Sequence, residues 1–316
     1  MGGDKAPAEI IEGARQAAAR GIPVVLVGRS ADLGDVDDFA IIEASEVIAM
    51  DDDPASGVRR KKDSSLVRAA EAVRDGKASA MVSAGNTGAT MASALLRMGR
   101  IKGVSRPAIA TPIPVPGHTP TILLDAGANA EVQPDWLVQF AQMGSVLANR
   151  RFGIENPRVG LLSIGEEAYK GDTLRKEAYD LLQAAPGIQF VGNVEGRDIM
   201  TPEIDVVVTD GFTGNVVLKT LEGGMKTIVR ALLAAFSAKP EYKPHADALL
   251  PALLELYATL DPDTYGGAML LGVDGVCIIS HGSSNAKAML NAIQVGADMV
   301  NSGLVEALRA AVGSAA

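Results

Sequence analysis

Five loops in the sequence combine glycine with small polar or charged residues, and each follows an apolar run that predicts a buried strand. They are "SAGNTGA" (83–89), "DAGANAE" (125–131), "SIGEEAYKG" (163–171), "TDGFTGN" (209–215) and "SHGSSNA" (280–286). Each also precedes a helical pattern, so it would present the free N–H groups of a helix N-terminus, which attract anions. One such loop can be a structural turn, because glycine supplies φ > 0. Five at one sheet edge predict a single anion-binding crevice.

The side chains of these loops suit a reaction on an anion. Gly211 and Gly214 would let backbone amides approach a ligand, and Lys219 would point back toward it, because helical side chains lean toward the N-terminus. The alternative for Lys219 is an ordinary exposed helix lysine, and His281 is either an acid/base group or structural. The predicted catalytic residues are Asn86, Lys170, Lys219 and His281. The predicted substrate-binding residues are Lys61, Lys62, Gly85, Thr87, Asp125, Asn129, Glu166, Asp210, Gly211, Gly214, Asn215, Ser283 and Ser284.

Several well-known functional motifs are absent from the sequence. It has no G-x-G-x-x-G with a following acidic residue, no G-x-x-x-x-G-K-[ST], no H-E-x-x-H and no G-x-S-x-G. A dinucleotide fold of that type, an NTPase, a zinc site and a serine hydrolase are therefore unsupported, and no metal is expected. Cys277 lies in the apolar stretch "GVCIIS" and is predicted to be a buried packing residue.

Composition limits the class of partner. Of the 316 residues, 47% are hydrophobic, 21% charged and only 4% aromatic, and the net charge is -9. Few aromatics and a negative charge argue against nucleic-acid binding. One cysteine excludes a disulfide framework within the chain and fits a reducing cytoplasm. We recognise no secretory leader and no apolar run of about 18 residues that would span a bilayer.

The order of the patterns predicts a doubly wound three-layer α/β/α sandwich with a mostly parallel sheet. Continuous apolar strands at 22–28, 78–85, 107–114, 119–127, 157–165 and 204–211 alternate with helical patterns. Such strands are buried on both faces, as in parallel sheets covered by helices. We expect a single domain over residues 1–316. The helix that follows "MGGDKAP" comes so early in this alternation that a strand is expected ahead of it.

Residues 213–260 interrupt this alternation and predict a projecting helical hairpin, with "SAKPEYKP" between its helices. An apolar stripe at helical spacing runs along the second helix. The stripe is interpreted as a dimer seam or core face, with reversible contact with a membrane surface as the second reading. Its members are Leu249, Leu250, Leu253, Leu254, Tyr257 and Leu260.

Nine motifs occur in an order that closely resembles the bacterial phosphate acyltransferase family, the acyl-carrier-protein:phosphate transacylases of phospholipid synthesis. They are "MGGDKAP", "VRRKKDSSLV", "VSAGNTGA", "RIKGVSRPA", "LLDAGAN", "LVQFAQMGSVLA", "GEEAYKG", "VTDGFTGNVVLKTLEG" and "SHGSSNA". The resemblance implies a fold similar to phosphotransacetylases and isopropylmalate dehydrogenases, and no organic cofactor. It also implies a cytoplasmic homodimer with peripheral contact at the inner face of the membrane.

The reaction that the resemblance implies is acyl transfer from acyl carrier protein to orthophosphate, and the acyl phosphate then goes to a membrane glycerol-3-phosphate acyltransferase. Phosphate is largely dianionic near neutral pH, and a thiol of pKa about 8.5 leaves readily. Direct attack therefore needs no enzyme nucleophile, only positioning and charge stabilisation.

Binding of an acidic carrier protein needs a local basic patch on this acidic chain. The predicted patches are 59–62, Lys226 with Arg230, and Arg150 with Arg151. The run at 59–62 can also be a solvated loop. The alternatives for the whole protein are a phosphotransacetylase acting on acyl-CoA, an isopropylmalate-type dehydrogenase and a non-enzymatic membrane scaffold.

Overall fold

A computed structural model describes residues 1–313 and places ten strands among them. The strands are β1 (Val25–Gly28), β2 (Ala40–Glu43), β3 (Ala80–Ser83), β4 (Ala108–Ile113), β5 (Thr121–Leu124), β6 (Arg158–Leu162), β7 (Gln189–Val194), β8 (Val206–Val208), β9 (Ala268–Leu271) and β10 (Val276–Ile279). The helices are α1 (Ala8–Ala19), α2 (Ser30–Leu33), α3 (Pro54–Arg60), α4 (Ser65–Arg74), α5 (Thr87–Arg97), α6 (Pro134–Phe152), α7 (Thr173–Ala184), α8 (Gly211–Phe236), α9 (Lys243–Leu260), α10 (Ala286–Asn301) and α11 (Leu304–Gly313).

Eight strands form the central sheet, in the order β3-β10-β9-β4-β5-β8-β6-β7. β3 and β10 are parallel, and so are β5, β8, β6 and β7. Three antiparallel pairings, β10 with β9, β9 with β4 and β4 with β5, separate these groups. The prediction of a mostly parallel α/β sheet is confirmed. Because three reversals lie between them, however, the two parallel groups run in opposite directions.

The connection between β4 and β5 explains the last of these reversals. Residues 114–120 join the two strands, which is too short for the crossover that a parallel pair requires. Gly117 has φ 73° in this connection, a backbone conformation that favours glycine. Both strands are buried along their whole length. Their continuous apolar sequences therefore resemble those of parallel strands, although the two strands are antiparallel.

Helices cover both faces of the central sheet and give the predicted three layers. Leu137, Phe140 and Leu147 of α6 join Met299 of α10 and Leu308 of α11 in the core on one face. On the other face, the core includes residues of α4, α5 and α8, namely Leu66, Val67, Ala94 and Leu218. Cys277 is fully buried, and burial raises the pKa of its thiol to about 12. This confirms that it is a packing residue.

Side-chain caps begin the helices that follow the strand ends. Asn86, Asp172, Asp210 and Asn285 each accept a hydrogen bond from the backbone N–H three residues on, at the starts of α5, α7, α8 and α10. Asn and Asp are preferred at this position because they satisfy an N–H that has no partner within the helix. Part of the polar composition of the five loops therefore reflects helix capping.

The predicted hairpin corresponds to α8 and α9, which run from Gly211 to Leu260 with a short turn between them. No described residue from 219 to 260 is buried, so this part projects from the sandwich. Within the predicted stripe, Leu249 and Leu254 are exposed, whereas Leu250, Leu253, Tyr257 and Leu260 are half-buried. No helix within residues 1–313 is long and apolar enough to cross a bilayer.

Candidate functional site

The five glycine-containing loops lie at two opposite edges of the sheet. Loops 83–89 and 280–286 follow β3 and β10, while loops 125–131, 163–171 and 209–215 follow β5, β6 and β8, which run the other way. The prediction of one crevice lined by all five loops is therefore wrong. α8 begins at the second edge, and from Gly211 to Glu222 it extends about 16 Å at a rise of about 1.5 Å per residue. It reaches His281 at the first edge.

Asp125 organises the loop after β5. Its Oδ1 accepts hydrogen bonds from the amides of Ile109, Gly127 and Ala128 at 3.0, 3.1 and 2.9 Å. Its Oδ2 accepts from the amide and the side chain of Asn129 at 2.7 and 2.9 Å. Burial raises the pKa of Asp125, and these hydrogen bonds oppose that effect. Both predicted binding residues of this loop, Asp125 and Asn129, thus have their polar groups engaged within the protein.

The glycines that begin α8 allow the helix to approach this loop closely. The amide of Gly211 donates to the carbonyl of Asn129 at 2.7 Å. A Cβ on Gly214 would lie 1.9 Å from the carbonyl oxygen of Asp125. Asn215 is exposed, and its side chain donates to the carbonyl of Ala126 at 3.2 Å. The two glycines therefore allow close contact between α8 and the loop after β5, while the amide side chain of Asn215 remains accessible to solvent.

Arg175 is a nearly buried cation that the sequence analysis missed. Its guanidinium pairs with Asp172 at 3.0 Å, contacts Asp210 at short range, and donates to the hydroxyl of Thr213 at 3.2 Å. Burial opposes ionisation of Asp210, but hydrogen bonds from Thr213 and the charge of Arg175 lower its pKa overall. The spacing of Asp172 and Arg175 predicts an i,i+3 pair, whereas nothing in the sequence indicates the contact with Asp210.

The loop after β6 carries Glu166 and Lys170. Glu166 is exposed, with its carboxylate 3.5 Å from Arg197. The ammonium of Lys170 lies 5.8 Å from the ring centroid of Tyr169, within the distance of a cation–π contact. Ile164 and Tyr169 in this loop are 80% and 68% exposed. Lys170 therefore lies at a different edge of the sheet from His281, and the structure does not bring these two predicted catalytic residues together.

At the edge formed by β3 and β10, Asn86 is buried and holds a neighbouring segment. Its Oδ1 caps α5 through the amide of Ala89 at 2.9 Å, and its Nδ2 donates to the carbonyls of Met50 and Asp52 at 3.0 and 3.2 Å. Lys61 reaches the same segment and pairs with Asp52 at 2.6 Å. Both side chains are engaged within the protein, whereas Lys62 is exposed.

The chain's first residues pack against the ends of β3 and β10. A Cβ on Gly3 would lie 2.7 Å from the carbonyl oxygen of Ala84, and the amide of Asp4 donates to the carbonyl of Gly282 at 2.9 Å. The loop residues differ in their accessibility. Gly85 and Ser284 are buried, and Thr87 and Ser283 are exposed.

Lys219, Glu222 and His281 form a group that we call the His281 cluster. The ammonium of Lys219 lies 2.9 Å from Oε2 of Glu222, and Nε2 of His281 lies 3.5 Å from Oε1 of the same carboxylate. The Lys219 and His281 side chains are 51% and 48% exposed, against 15% for Glu222. The cluster thus presents a lysine and an imidazole to solvent with one carboxylate behind them.

Glu222 was missed by the sequence analysis, although its i,i+3 spacing from Lys219 predicts a helical ion pair. Burial alone would raise the pKa of Glu222, but its contacts with His281 and Lys219 outweigh burial and lower that pKa to about 2. Glu222 therefore remains ionised at neutral pH and orients both side chains.

We expect Glu222 to make the stability of the protein depend on pH. Its carboxyl pKa in the folded state, about 2, is below the usual value of 4.5, so the ionised form stabilises the fold. That contribution is present above about pH 5 and is lost as the pH falls toward 2. Urea unfolding between pH 7 and pH 3 should show a smaller loss of stability in Glu222→Gln than in wild type. Glu241→Gln on the exposed turn is the matched control, and equal pH profiles for wild type and Glu222→Gln would contradict the assignment.

Comparison with protein families gives a match along nearly the whole chain. A family described as "Fatty acid synthesis protein" matches residues 1–307. The chain is 49% identical to a phosphate acyltransferase of Desulfitobacterium hafniense (strain Y51) over 318 aligned positions, which cover 98% of this chain and 94% of the relative. It is 48% identical to a phosphate acyltransferase of Heliobacterium modesticaldum, with 98% and 95% covered.

Solved structures similar to this one include two acyl-transfer enzymes. The EutD phosphotransacetylase from Staphylococcus aureus aligns with a TM-score of 0.61 at 17% identity, over 93% of this chain and 91% of that one. A branched-chain phosphotransacylase from Enterococcus faecalis V583 aligns with a TM-score of 0.62 at 14% identity, over 95% and 96%. At these identities the similarity confirms the predicted phosphotransacetylase-like fold.

Proposed function

Because the chain belongs to the fatty acid synthesis protein family, we propose that it is a phosphate acyltransferase that converts acyl-[acyl carrier protein] and orthophosphate to acyl phosphate and free carrier protein. The observation that carries this proposal is the extent of the similarity. The family match spans residues 1–307, and relatives at 46–50% identity are named phosphate acyltransferases. The His281 cluster is the proposed place for the chemistry, with a lysine and an imidazole facing solvent at the ends of β3 and β10.

In the proposed mechanism, phosphate binds against the ammonium of Lys219. One phosphate oxygen attacks the thioester carbonyl, a C–O bond forms, and the C–S bond breaks as the thiolate leaves. His281 donates a hydrogen bond to the oxyanion that develops on the carbonyl, where such donors act most strongly. Glu222 touches neither reactant and acts as a positioning residue. Exposed Thr87, in the first turn of α5 at the same sheet edge, adds backbone N–H groups that have no partner within the helix.

Replacement of Lys219 by alanine is expected to raise the KM for phosphate and to lower kcat/KM at least about tenfold, or about 1.4 kcal/mol. The loss follows from removal of the cation that holds the dianion. Steady-state assays with phosphate as the varied substrate measure it, and Lys243→Ala, at the start of α9 beyond the turn of the hairpin, is the matched control. Kinetics within twofold of wild type for Lys219→Ala would remove Lys219 from the phosphate site.

The proposed acyl donor is a carrier-protein thioester. Because this chain has a net charge of -9, it repels an acidic carrier protein unless a local basic surface attracts it. Lys226 and Arg230, which are exposed on α8 near the His281 cluster, are the proposed basic surface. Arg151 is less suited, because its guanidinium donates to the backbone carbonyl of Tyr265, and burial lowers its pKa to about 10. Thiol release should require phosphate and be much faster from acyl carrier protein than from acyl-CoA. Preference for acyl-CoA would instead favour a phosphotransacetylase.

The exposed apolar side chains of α8 and α9 support a role for the hairpin in assembly. Ile228, Leu249 and Leu254 are 69%, 58% and 56% exposed. A group of exposed apolar side chains on one surface indicates an interaction site. We propose that this surface forms the seam of a homodimer in the cytoplasm. The second candidate is contact with the inner face of the membrane, where a glycerol-3-phosphate acyltransferase consumes the acyl phosphate. Leu254→Asp should shift sedimentation toward monomer if the surface is a dimer seam, and weaken binding to anionic vesicles if it contacts the membrane. Unchanged sedimentation and unchanged vesicle binding would exclude this surface of the hairpin from both roles.

A further inference from the structure

Asp263 lies beside the His281 cluster, on the segment that returns from the hairpin to the sheet. It belongs to a single helical turn, Pro262–Tyr265, which comes just before β9. β9 runs antiparallel to β10, so the residues ahead of β9 continue past the sheet edge where β10 ends. A Cβ on Gly267 would lie 2.6 Å from the carbonyl oxygen of Ile279, the last residue of β10. Asp263 is thus brought to the edge that carries His281.

The helical turn is held in place through its backbone. The side chain of Asn291 on α10 donates to the carbonyl of Asp263 at 3.0 Å, and the amide of Asp263 donates to Oδ1 of Asp261 at 3.0 Å. The guanidinium of Arg151 at the end of α6 donates to the carbonyl of Tyr265. The backbone of Asp263 is therefore fixed, and so is the point from which its side chain extends.

The carboxylate of Asp263, by contrast, is an acceptor without a donor. It is half-buried, and within the described part of the chain no hydrogen bond reaches it. His281, Lys226 and Lys5 all lie close enough to act on its charge. Burial and the negative charge of Asp261 raise the pKa of Asp263, and those three groups oppose the rise. A carboxylate oxygen in such surroundings suits a ligand that is negatively charged and also carries a proton.

The carboxylate of Glu222 cannot serve as this acceptor, because its oxygens are already engaged. Its Oε2 lies 2.9 Å from the ammonium of Lys219, and its Oε1 lies 3.5 Å from Nε2 of His281. A ligand at the cluster would therefore find donors on Lys219 and His281 and an acceptor on Asp263.

We propose that Asp263 selects phosphate by accepting a hydrogen bond from its P–OH group, while Lys219 binds its charged oxygens. The inference rests on the proposed function for the identity of this ligand. At neutral pH the phosphate dianion keeps one proton, and so does arsenate, whereas sulfate has the same shape and charge but no proton. Sulfate would place an oxygen lone pair against the carboxylate, and a site built to bind an O–H group strongly rejects an analogue that lacks it.

The same contact accounts for the proton that moves in the reaction. As the C–O bond forms and the C–S bond breaks, phosphate loses its P–OH proton, because an acyl phosphate is a stronger acid than phosphate. Asp263 accepts that proton, and the departing thiolate takes it up to become the free thiol. The proton that phosphate loses is thus the one that the thiol gains, and the reaction balances.

The test measures the binding of phosphate, arsenate and sulfate to the full chain without any acyl donor, from the rise in Tm at equal ionic strength with chloride as the reference. Wild type should bind phosphate and arsenate at least about a hundredfold more tightly than sulfate. In Asp263→Asn, the amide can donate to sulfate and the negative charge is gone, so that preference should disappear. Sulfate should then also compete with phosphate in acyl-transfer assays of this variant.

Two further variants control the test. Asp247→Asn on the exposed side of α9 should keep the wild-type preference, and Asp263→Glu, which retains a carboxylate, should still favour phosphate over sulfate. Asp263→Asn should fold, because its carboxylate makes no hydrogen bond within the described chain. Equal binding of phosphate and sulfate by wild type, or an unchanged preference in Asp263→Asn, would overturn the inference. Phosphate selectivity that depends on Asp263 but comes without acyl transfer would support it and contradict the proposed function.

Discussion

Gly214→Ala is expected to destabilise the protein by about 3 kcal/mol or more, because the added methyl group has no space. Its Cβ would lie 1.9 Å from the carbonyl oxygen of Asp125 and 3.1 Å from Cγ2 of Thr209. The first of these is a backbone atom in a loop held by five hydrogen bonds to the Asp125 carboxylate, so it cannot move aside cheaply. Urea unfolding measures the loss of stability, and the Tm should fall by about 6 °C or more.

Gly223 provides the matched control on the same helix. A Cβ there would meet nothing within 4 Å, and the residue is exposed. Gly223→Ala should therefore leave stability unchanged or raise it by up to about 1 kcal/mol, since alanine is the better helix former. If Gly214→Ala were as stable as Gly223→Ala, the close contact between α8 and the Asp125 loop would be contradicted.

Gly214→Ala should also affect activity through α8. The helix carries Lys219 and Glu222, and its start is fixed against the Asp125 loop. Displacement of the start would be transmitted along the helix toward His281. Any Gly214→Ala protein that still folds should show a lower kcat/KM. This result would show that a change at one edge of the sheet affects the His281 cluster at the other edge.

His281→Gln is expected to lower kcat about a hundredfold, or about 2.7 kcal/mol, with a much smaller change in the KM for phosphate. The reason is that His281 is proposed to stabilise the oxyanion, which develops only in the transition state, whereas Lys219 binds phosphate already in the ground state. Assays with acyl carrier protein and varied phosphate separate the two effects. The measurement should be made at the pH optimum of each variant.

His118→Gln is the control for this substitution, because His118 lies exposed in the turn between β4 and β5. It should retain wild-type kinetics. A His281→Gln variant with unchanged kcat would exclude His281 from the chemistry. A large rise in the KM for phosphate alone would make it a binding residue.

The fold was largely predictable because its cause is local. Apolar runs buried on both faces alternate with helical patterns along the chain, and this alternation predicted the layers correctly. The direction of β5 was not predicted, although the short connection at 114–120 carried the information. Together with the reversals at β9 and β4, it placed Asp125 and Asp210 at the opposite edge from His281.

The candidate site was less predictable, because residue type does not show whether a polar group is already engaged. Asn86 and Asp125 are of residue types that often bind ligands, yet their polar atoms form hydrogen bonds with neighbouring backbone groups. Glu222 and Arg175 look like ordinary helix residues, yet each lies at the centre of an ion-pair group that forms only in the folded chain. The proximity of Lys219 and His281 depends on the length of α8, which only the three-dimensional arrangement shows.

In the proposed reaction, phosphate attacks the thioester directly, and no acyl group is ever attached to the enzyme. The most direct measurement mixes excess enzyme with acyl carrier protein whose acyl group is radiolabelled, first without phosphate and then with it. Free thiol, acyl phosphate and label on the enzyme are followed over time. We predict no thiol release without phosphate, and thiol and acyl phosphate in equal amounts once phosphate is present. A stoichiometric burst of thiol without phosphate, with label on an enzyme side chain that phosphate then removes, would contradict the account.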